Sequence, residues 1–358
     1  MTHNRAPIVI VGAGQSGLTA ARAARDAGAT PIVLETGPRA SGSWSHYYES
    51  LRVFSPARFS AIPGYQPIAA DPDSYPGRDS VADYLEGFAD SLDVEIRTGT
   101  HVTSVTAADN GYFVHTASGQ TITAGAVVAA SGSFGNPRLP ALPGQGEFIG
   151  EIVHVADYRR PDEYRDQRII VVGGGNSAVQ VGHELSRVAT VTLAVNRPIK
   201  LVDQRCCGRD LHHLLVSGFD HLPSEWIAPF MSSPLTIDVG GYREALRVGD
   251  FDQQPMFTAF EGDSVVWSDG RRERVDTVLF ATGYRPNLAY LSTLGAVDAQ
   301  GRPRHRGGIS TSHPGLAYVG LEFQRRFASN TLRGVDSDAR FVMPPLLAYA
   351  DGLHAAFR

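Results

Sequence analysis

Three glycines and one acid open the chain's chemistry. Gly12, Gly14 and Gly17 follow the apolar run Ile8-Val9-Ile10-Val11, and Glu35 stands 18 residues past Gly17. In a strand–turn–helix unit, the first glycine turns tightly and the second lets a pyrophosphate approach the backbone. The third lets helix pack on strand. A carboxylate about 20 residues further on meets a ribose hydroxyl pair. This pattern predicts a site for a dinucleotide whose ribose carries no 2′-phosphate, which suits the adenosine of FAD or NAD.

A second set repeats the arrangement. Gly173, Gly175 and Ala178 follow Ile169-Ile170-Val171-Val172, and a strand over Val191–Val195 ends at Asn196-Arg197. No carboxylate stands there. An arginine in that position accommodates a 2′-phosphate, and its planar fork suits bidentate phosphate contact, so NADPH is expected over NADH. Two dinucleotides in one chain outline an electron-transfer enzyme. Phe148 to Tyr158 lies between the two units as their hinge.

The elements that must position these residues are legible in part. A helix is expected from Gln15 to about Ala27, stopped by Gly28, and a second strand over Pro31–Leu34. The stretch after Glu35, with Gly42-Ser43-Trp44 and Ser50 to Pro56, reads as a long functional excursion. Arg78–Asp90 suits a helix with Val81, Tyr84, Leu85 and Phe88 on one face. Strand candidates at Val94–Arg97, His101–Thr106, Tyr112–Thr116, Thr121–Thr123 and Ala126–Ala129 suggest an antiparallel meander, with Asn110-Gly111 as a hairpin signal. A helix to about Arg187 follows the second glycine set. Strands are expected at Val275–Gly283, returning to a small turn, and at Leu316–Leu321, with a closing helix from Asp336 to about Leu353. Pro198–Asp263 reads as a compact insert, helical around Arg209–Val216.

Composition narrows the function. The 358 residues suffice for two domains; 42% hydrophobic and 19% charged residues are ordinary for a globular protein. A net charge of −5 without a basic run gives no nucleic-acid footprint. No apolar stretch reaches the ~20 residues of a membrane span. Met1–Arg5 leads straight into a strand without a leader pattern. Cys206 and Cys207 are adjacent, and form neither a disulfide framework nor a redox C-x-x-C. A cytoplasmic location is expected. His212-His213 has no evident third ligand, so no metal site is expected.

With these residues assembled, the chain resembles the flavin-dependent monooxygenases of the two-dinucleotide type. Phe148, Gly150, His154 and Tyr158 match the family fingerprint F-x-G-x-x-x-H-x-x-x-Y. Gly42-Ser43-Trp44 is similar to its G-G-x-W, although Ala40-Ser41 precede it where a further glycine is usual. Ala130-Ser131-Gly132 and Ala281-Thr282-Gly283 are similar to its two A-T-G turns. Tyr48 to Pro56 and Ser329 to Val335 carry a closer likeness to the short bacterial branch, with its arsenite-resistance-associated monooxygenases and cation-transport flavoproteins.

The resemblance implies an α/β fold of two Rossmann-like domains in three layers, glutathione-reductase-like. Residues 1–147 and 282–358 would bind FAD around an NADPH domain at 148–281, with the insert at 198–263. FAD contacts are implied at Gly12, Gly14, Gln15, Ser16, Gly17, Glu35, Gly42, Ser43, Trp44 and Phe54. Val102, Ser131, Gly132, Gly283 and Leu332 complete that set. NADPH contacts are implied at Gly173, Gly175, Asn176, Ser177, Ala178 and Arg197. His154 and Tyr158 are expected as hinge or positioning residues rather than proton donors.

The implied reaction passes one oxygen from O2, through a C4a-hydroperoxyflavin, to a small soft nucleophile at sulfur, nitrogen or arsenic. Tyr158 stands where Baeyer–Villiger enzymes usually carry Trp, and Phe54 about where the eukaryotic-type enzymes carry Asn. The alternatives are an NADPH-dependent flavin reductase or oxidase, Baeyer–Villiger oxygenation, and a non-catalytic nucleotide sensor. The partners expected are a small-molecule substrate and O2, with a homodimer as one arrangement the reading allows.

Overall fold

A computed structural model describes residues 6–227 and 235–352. Met1–Arg5 and the expected end of the closing helix at Leu353 lie outside the described residues, as does part of the insert. The chain builds two parallel-cored sheets, each from its own strand–glycine–helix unit.

In the first sheet, Ile8–Val11 is central. It pairs in parallel with Pro31–Leu34 on one side and Ala126–Ala129 on the other. Glu95–Arg97 extends one edge, and Leu316–Tyr318 with two short strands extends the other. Ile8–Val11 is buried at every position, as a strand covered on both faces must be. Ile8, Ile10, Val33 and Val128 pack against Leu18, Leu85, Phe88 and the closing helix Val335–Ala350. Val9, Leu34 and Val127 face Val105, Val114 and Ile122 of a three-stranded meander. Helices, sheet and meander make three layers.

The second sheet runs from Asp252–Pro255 through Thr190–Val195, Arg168–Val172 and Thr277–Phe280 to Glu151–His154. All four pairings are parallel. The hinge strand Glu151–His154 is therefore an edge of this sheet. The chain passes between the sheets elsewhere, over residues 132–138 and 283–287. There Asn287 N–H donates to the Gly132 carbonyl at 2.8 Å, Arg285 N–H to Asn136 at 2.9 Å, and Arg138 N–H to Gly283 at 3.0 Å. The two crossings brace each other.

Two expectations change. Only the middle three of the five strand candidates form the meander. Glu95–Arg97 and Ala126–Ala129 join the main sheet in parallel. Ala126–Ala129 is buried throughout, the mark of a central strand, whereas Val102–Ala108 buries only Val102 and Val105. The insert is also smaller than 198–263. Residues 252–255 belong to the second sheet, and 259–274 form a separate antiparallel unit. The helix expected around Arg209–Val216 is His212–Ser217, preceded by a short hairpin.

Candidate functional site

Each glycine unit is shaped by a carbonyl that returns to it. Gly12 has φ +105, and a Cβ there would meet the Ala130 carbonyl oxygen at 2.6 Å. Gly173 has φ +141, and its Cβ would meet the Ala281 oxygen at 2.5 Å. The Ala130-Ser131-Gly132 and Ala281-Thr282-Gly283 turns thus close on the first glycine of their own unit. A Cβ on Gly17 would lie 1.8 Å from the Gly12 oxygen, which is the close helix–strand packing its position requires. Gly14 differs. Its Cβ would have only Gly42 Cα nearby, at 3.7 Å, so this glycine leaves open space beside the turn.

That space belongs to a cavity of about 870 Å³. Gly12, Gly14, Gln15, Ser16, Glu35, Gly42, Ser43, Trp44, Phe54, Ser131, Gly132 and Leu332 line it from the first unit. Asn176 and Ser177 line it from the second. Glu35 accepts the Ala13 N–H at 2.6 Å and the Gly37 N–H at 2.8 Å, which pins the strand end to the glycine turn. Trp44 Nε1 donates to Gln15 Oε1 at 2.9 Å. Ser131 Oγ donates to the Asn287 carbonyl at 2.6 Å.

The remaining expected residues stand off the wall. Gly17, Gly173 and Ala178 act through packing. Gly175 is the N-cap of the helix Asn176–Leu185. Val102 turns into the core beside the meander, and its neighbour His101 lines the cavity instead. Gly283 sits in the crossing. Arg197 is exposed just beyond the strand Thr190–Val195.

The two motif helices fit phosphate groups. Gln15–Asp26 and Asn176–Leu185 start after glycine, lack a capping side chain and carry no acid in the first turn. Arg78–Asp90 and Val335–Ala350 do carry acids there. Uncapped N–H groups at a positive helix end bind anions. The residues present therefore fit FAD at the first turn, and NADPH at the second. At the second turn, the insert adds contacts: Thr236 Oγ1 donates to the Gly174 carbonyl, and Ile237 N–H to Asn176 Oδ1, both at 2.9 Å.

His154 and Tyr158 do not reach the cavity. Ala156 N–H donates to His154 Nδ1 at 3.1 Å, which leaves the proton on Nε2, 3.2 Å from the Gly283 carbonyl. This neutral ring ties the hinge strand to the crossing, and burial lowers its pKa from the usual 6.5. Tyr158 is fully buried and donates to Glu184 Oε2 at 2.9 Å. Burial raises its pKa far above the phenol range. Tyr48, from the excursion, bonds Gln180 one turn earlier on the same helix. Both tyrosines therefore grip one face of the helix Asn176–Leu185.

Residues that sequence reasoning passed over form the aromatic side of the cavity. Tyr47 lies edge-on to Phe134 at 4.7 Å, and Phe134 stacks on Tyr284 at 5.4 Å. Tyr284 meets His154 at 5.1 Å, so rings run from the hinge to the wall. Gln180 was detectable as one turn beyond Asn176. Phe134 and Tyr47 carried no such signal.

Gly14 and Gly17 separate cofactor binding from folding. Gly14→Val is expected to fold but purify with little flavin, read as the ratio of visible to ultraviolet absorbance. Gly17→Ala is expected to lose about 1–3 kcal/mol or more of stability, measured by denaturant unfolding, because backbone rather than side chain must move. The buried neutral state of His154 contributes stability that is present above pH 6.5 and lost as pH falls through the lowered value. Thermal unfolding should therefore drop from about pH 7.5 to about pH 5.5. His154→Gln should drop less, at equal flavin content.

Residues 9–206 match the family described as pyridine nucleotide-disulphide oxidoreductase. An uncharacterised CzcO-like oxidoreductase of Geobacillus kaustophilus is 27% identical over 95% of this chain and 98% of its own. The rice indole-3-pyruvate monooxygenase YUCCA1 is 27% identical over 78% of this chain and 77% of its own. The solved flavin-containing monooxygenase of Stenotrophomonas maltophilia superposes with a TM-score of 0.83. It shares 28% identity over 96% of this chain and 98% of that one. The chain belongs to the pyridine nucleotide-disulphide oxidoreductase family, and it is similar to flavin monooxygenases, enzymes that use FAD and NADPH.

Proposed function

We propose that this enzyme uses NADPH and FAD to place one oxygen atom from O2 on a small, soft nucleophile at sulfur, nitrogen or arsenic. One observation carries the reading: a single cavity is walled by both glycine units, with aromatic rings between them. The first unit at 1–147 and 282–358 would bind FAD, and the second at 148–281 would bind NADPH. Bound FAD, once reduced by NADPH, supplies the activation of oxygen. The chain's own residues bind, orient and exclude water.

Gly12, Gly14, Gln15 and Ser16 would hold the FAD pyrophosphate, and Glu35 its ribose. Tyr48 and Tyr158 fix the helix that presents Asn176 and Ser177 to the same space. Trp44, Tyr47, Phe54, Phe59 and Phe134 line a wall that sheds water. Neither cysteine lines the cavity, so the wall holds no thiol relay for disulfide reduction.

NADPH consumption and peroxide release, measured together against thioethers, amines, trivalent arsenicals and ketones, test this reading. A soft nucleophile should raise consumption while peroxide falls, with one oxygen gained by the product. Peroxide equal to NADPH for every compound would make the protein a reductase or oxidase. Coupling to ketones alone would make it a Baeyer–Villiger enzyme.

Arg197→Ala should lower kcat/KM for NADPH more than for NADH, on the order of ten-fold in the ratio. The effect should shrink with added salt, since the group is exposed. Equal losses with both cofactors would remove Arg197 from phosphate recognition.

A further inference from the structure

Two thiols stand outside the cavity and take no part in the reaction above. Cys206 and Cys207 are the chain's only cysteines, and both are exposed. They lie on a hairpin in which Arg205–Cys206 pairs with Arg209–Asp210, leaving Cys207 and Gly208 as the turn. Successive side chains on a strand point to opposite faces. Here Cys207 has φ +53 and Gly208 φ +78, and this left-handed turn brings the sulfurs to 3.8 Å. Hairpin turns of this kind favour Asn, Asp or Gly at the first position. The Cys207 sulfur in turn raises the Cys206 thiol above its usual range.

The hairpin is bonded to the cavity wall at both ends. Gln204 Nε2, just before it, donates to the Phe54 carbonyl at 2.9 Å. Asp210, its last residue, accepts the Tyr75 hydroxyl at 2.6 Å and sits 2.8 Å from His212 Nδ1. The His212 ring lies 5.9 Å from Phe54 and 6.4 Å from Phe59, and both phenylalanines line the cavity. A change at the turn therefore acts on the wall through two short connections.

We propose that Cys206 and Cys207 form a peroxide-responsive dithiol that closes reversibly to a vicinal disulfide and slows NADPH use at the cavity. One thiolate attacks a peroxide oxygen, breaking the O–O bond and leaving a sulfenic acid and one water. The second thiol displaces the sulfenic oxygen as another water and forms the S–S bond. Two electrons pass from the sulfurs to hydrogen peroxide, and both thiol protons end in water. Cα atoms joined by a trans peptide are about 3.8 Å apart, closer than the roughly 4.4–6.8 Å of ordinary disulfides. The ring is strained, hence easily reduced, which suits a sensor rather than a staple. Closing it displaces Cys207 from its turn geometry and moves Gln204 and Asp210.

The test uses purified holoenzyme treated with hydrogen peroxide in the absence of NADPH, then freed of peroxide. Peptide mass analysis should show both thiols lost together, with two hydrogens missing and no oxygen gained, reversed by dithiothreitol. NADPH oxidation should fall on the order of five-fold and recover on reduction. A Cys206→Ser/Cys207→Gly variant, which keeps the turn, should start at the wild-type rate and not respond. Cys206→Ser alone should instead stop at a sulfenic acid that dimedone labels. Sulfinic or sulfonic acids or cross-linked dimers in place of the ring would overturn the proposal. So would ring closure with equal rate responses in wild type and double variant. The rate readout rests on NADPH use at the cavity but not on oxygen transfer, so failure of the oxygenation reading leaves this test intact.

Discussion

The structure depends on one contact made twice: a returning carbonyl laid against a glycine that has no side chain. Ala130 meets Gly12 and Ala281 meets Gly173, each at a distance no Cβ could share. Each contact forces the first glycine into a conformation that L side chains avoid, and so sets where the following helix begins. The helix end is then left with uncapped N–H groups beside open space. A helix end that fits an anion is a consequence of that packing, because the same backbone approach that excludes a side chain also leaves the amides bare.

The repetition of this contact explains why the two units can serve one cavity. Beyond the Ala130 and Ala281 turns, the chain crosses between the sheets, and the two crossings hydrogen-bond to each other. The family fingerprint at Phe148–Tyr158 supports these crossings rather than making them. His154 holds the Gly283 carbonyl, and Tyr158 holds Glu184. Both groups are buried and fully engaged, His154 as a neutral imidazole and Tyr158 as a neutral phenol. Their hydrogen bonds are made within the fold and tie the hinge to the crossing and to the helix Asn176–Leu185. The cavity wall mixes aromatic rings with polar side chains, among them Gln15, Glu35, Arg52, Asn176, Gln180 and Arg333.

The insert gives this arrangement its third participant. From the second unit it reaches Gly174 and Asn176 through Thr236 and Ile237. Towards the first it holds the Phe54 carbonyl and Tyr75, while Asp220 pairs with Arg333 at 2.6 Å. It therefore touches the second glycine turn and the aromatic wall at once. A movement in the insert would be felt on both sides of the cavity, because packed groups shift together rather than deform singly.

The sequence by itself determined the parts whose signal is local. Gly12, Gly14, Gly17 and Glu35 announce a dinucleotide turn because each answers a short-range steric or charge demand at fixed spacing. The same holds for Gly173, Gly175 and Ala178, and for the helices at Gln15 and Arg78. Tertiary structure alone decided the rest. Whether Ala126–Ala129 joins a meander or a parallel sheet is set by its partners, since a short apolar run fits either. The insert's true extent depended on Asp252–Pro255 finding Thr192–Val195, a pairing no periodicity announces. Tyr47, Phe134 and Gln180 reach the cavity because distant segments fold together, and Cys206 meets Cys207 because one left-handed turn overrides the alternation of a strand. Spacing along a chain records what neighbours require of each other; it does not record which remote backbone will arrive.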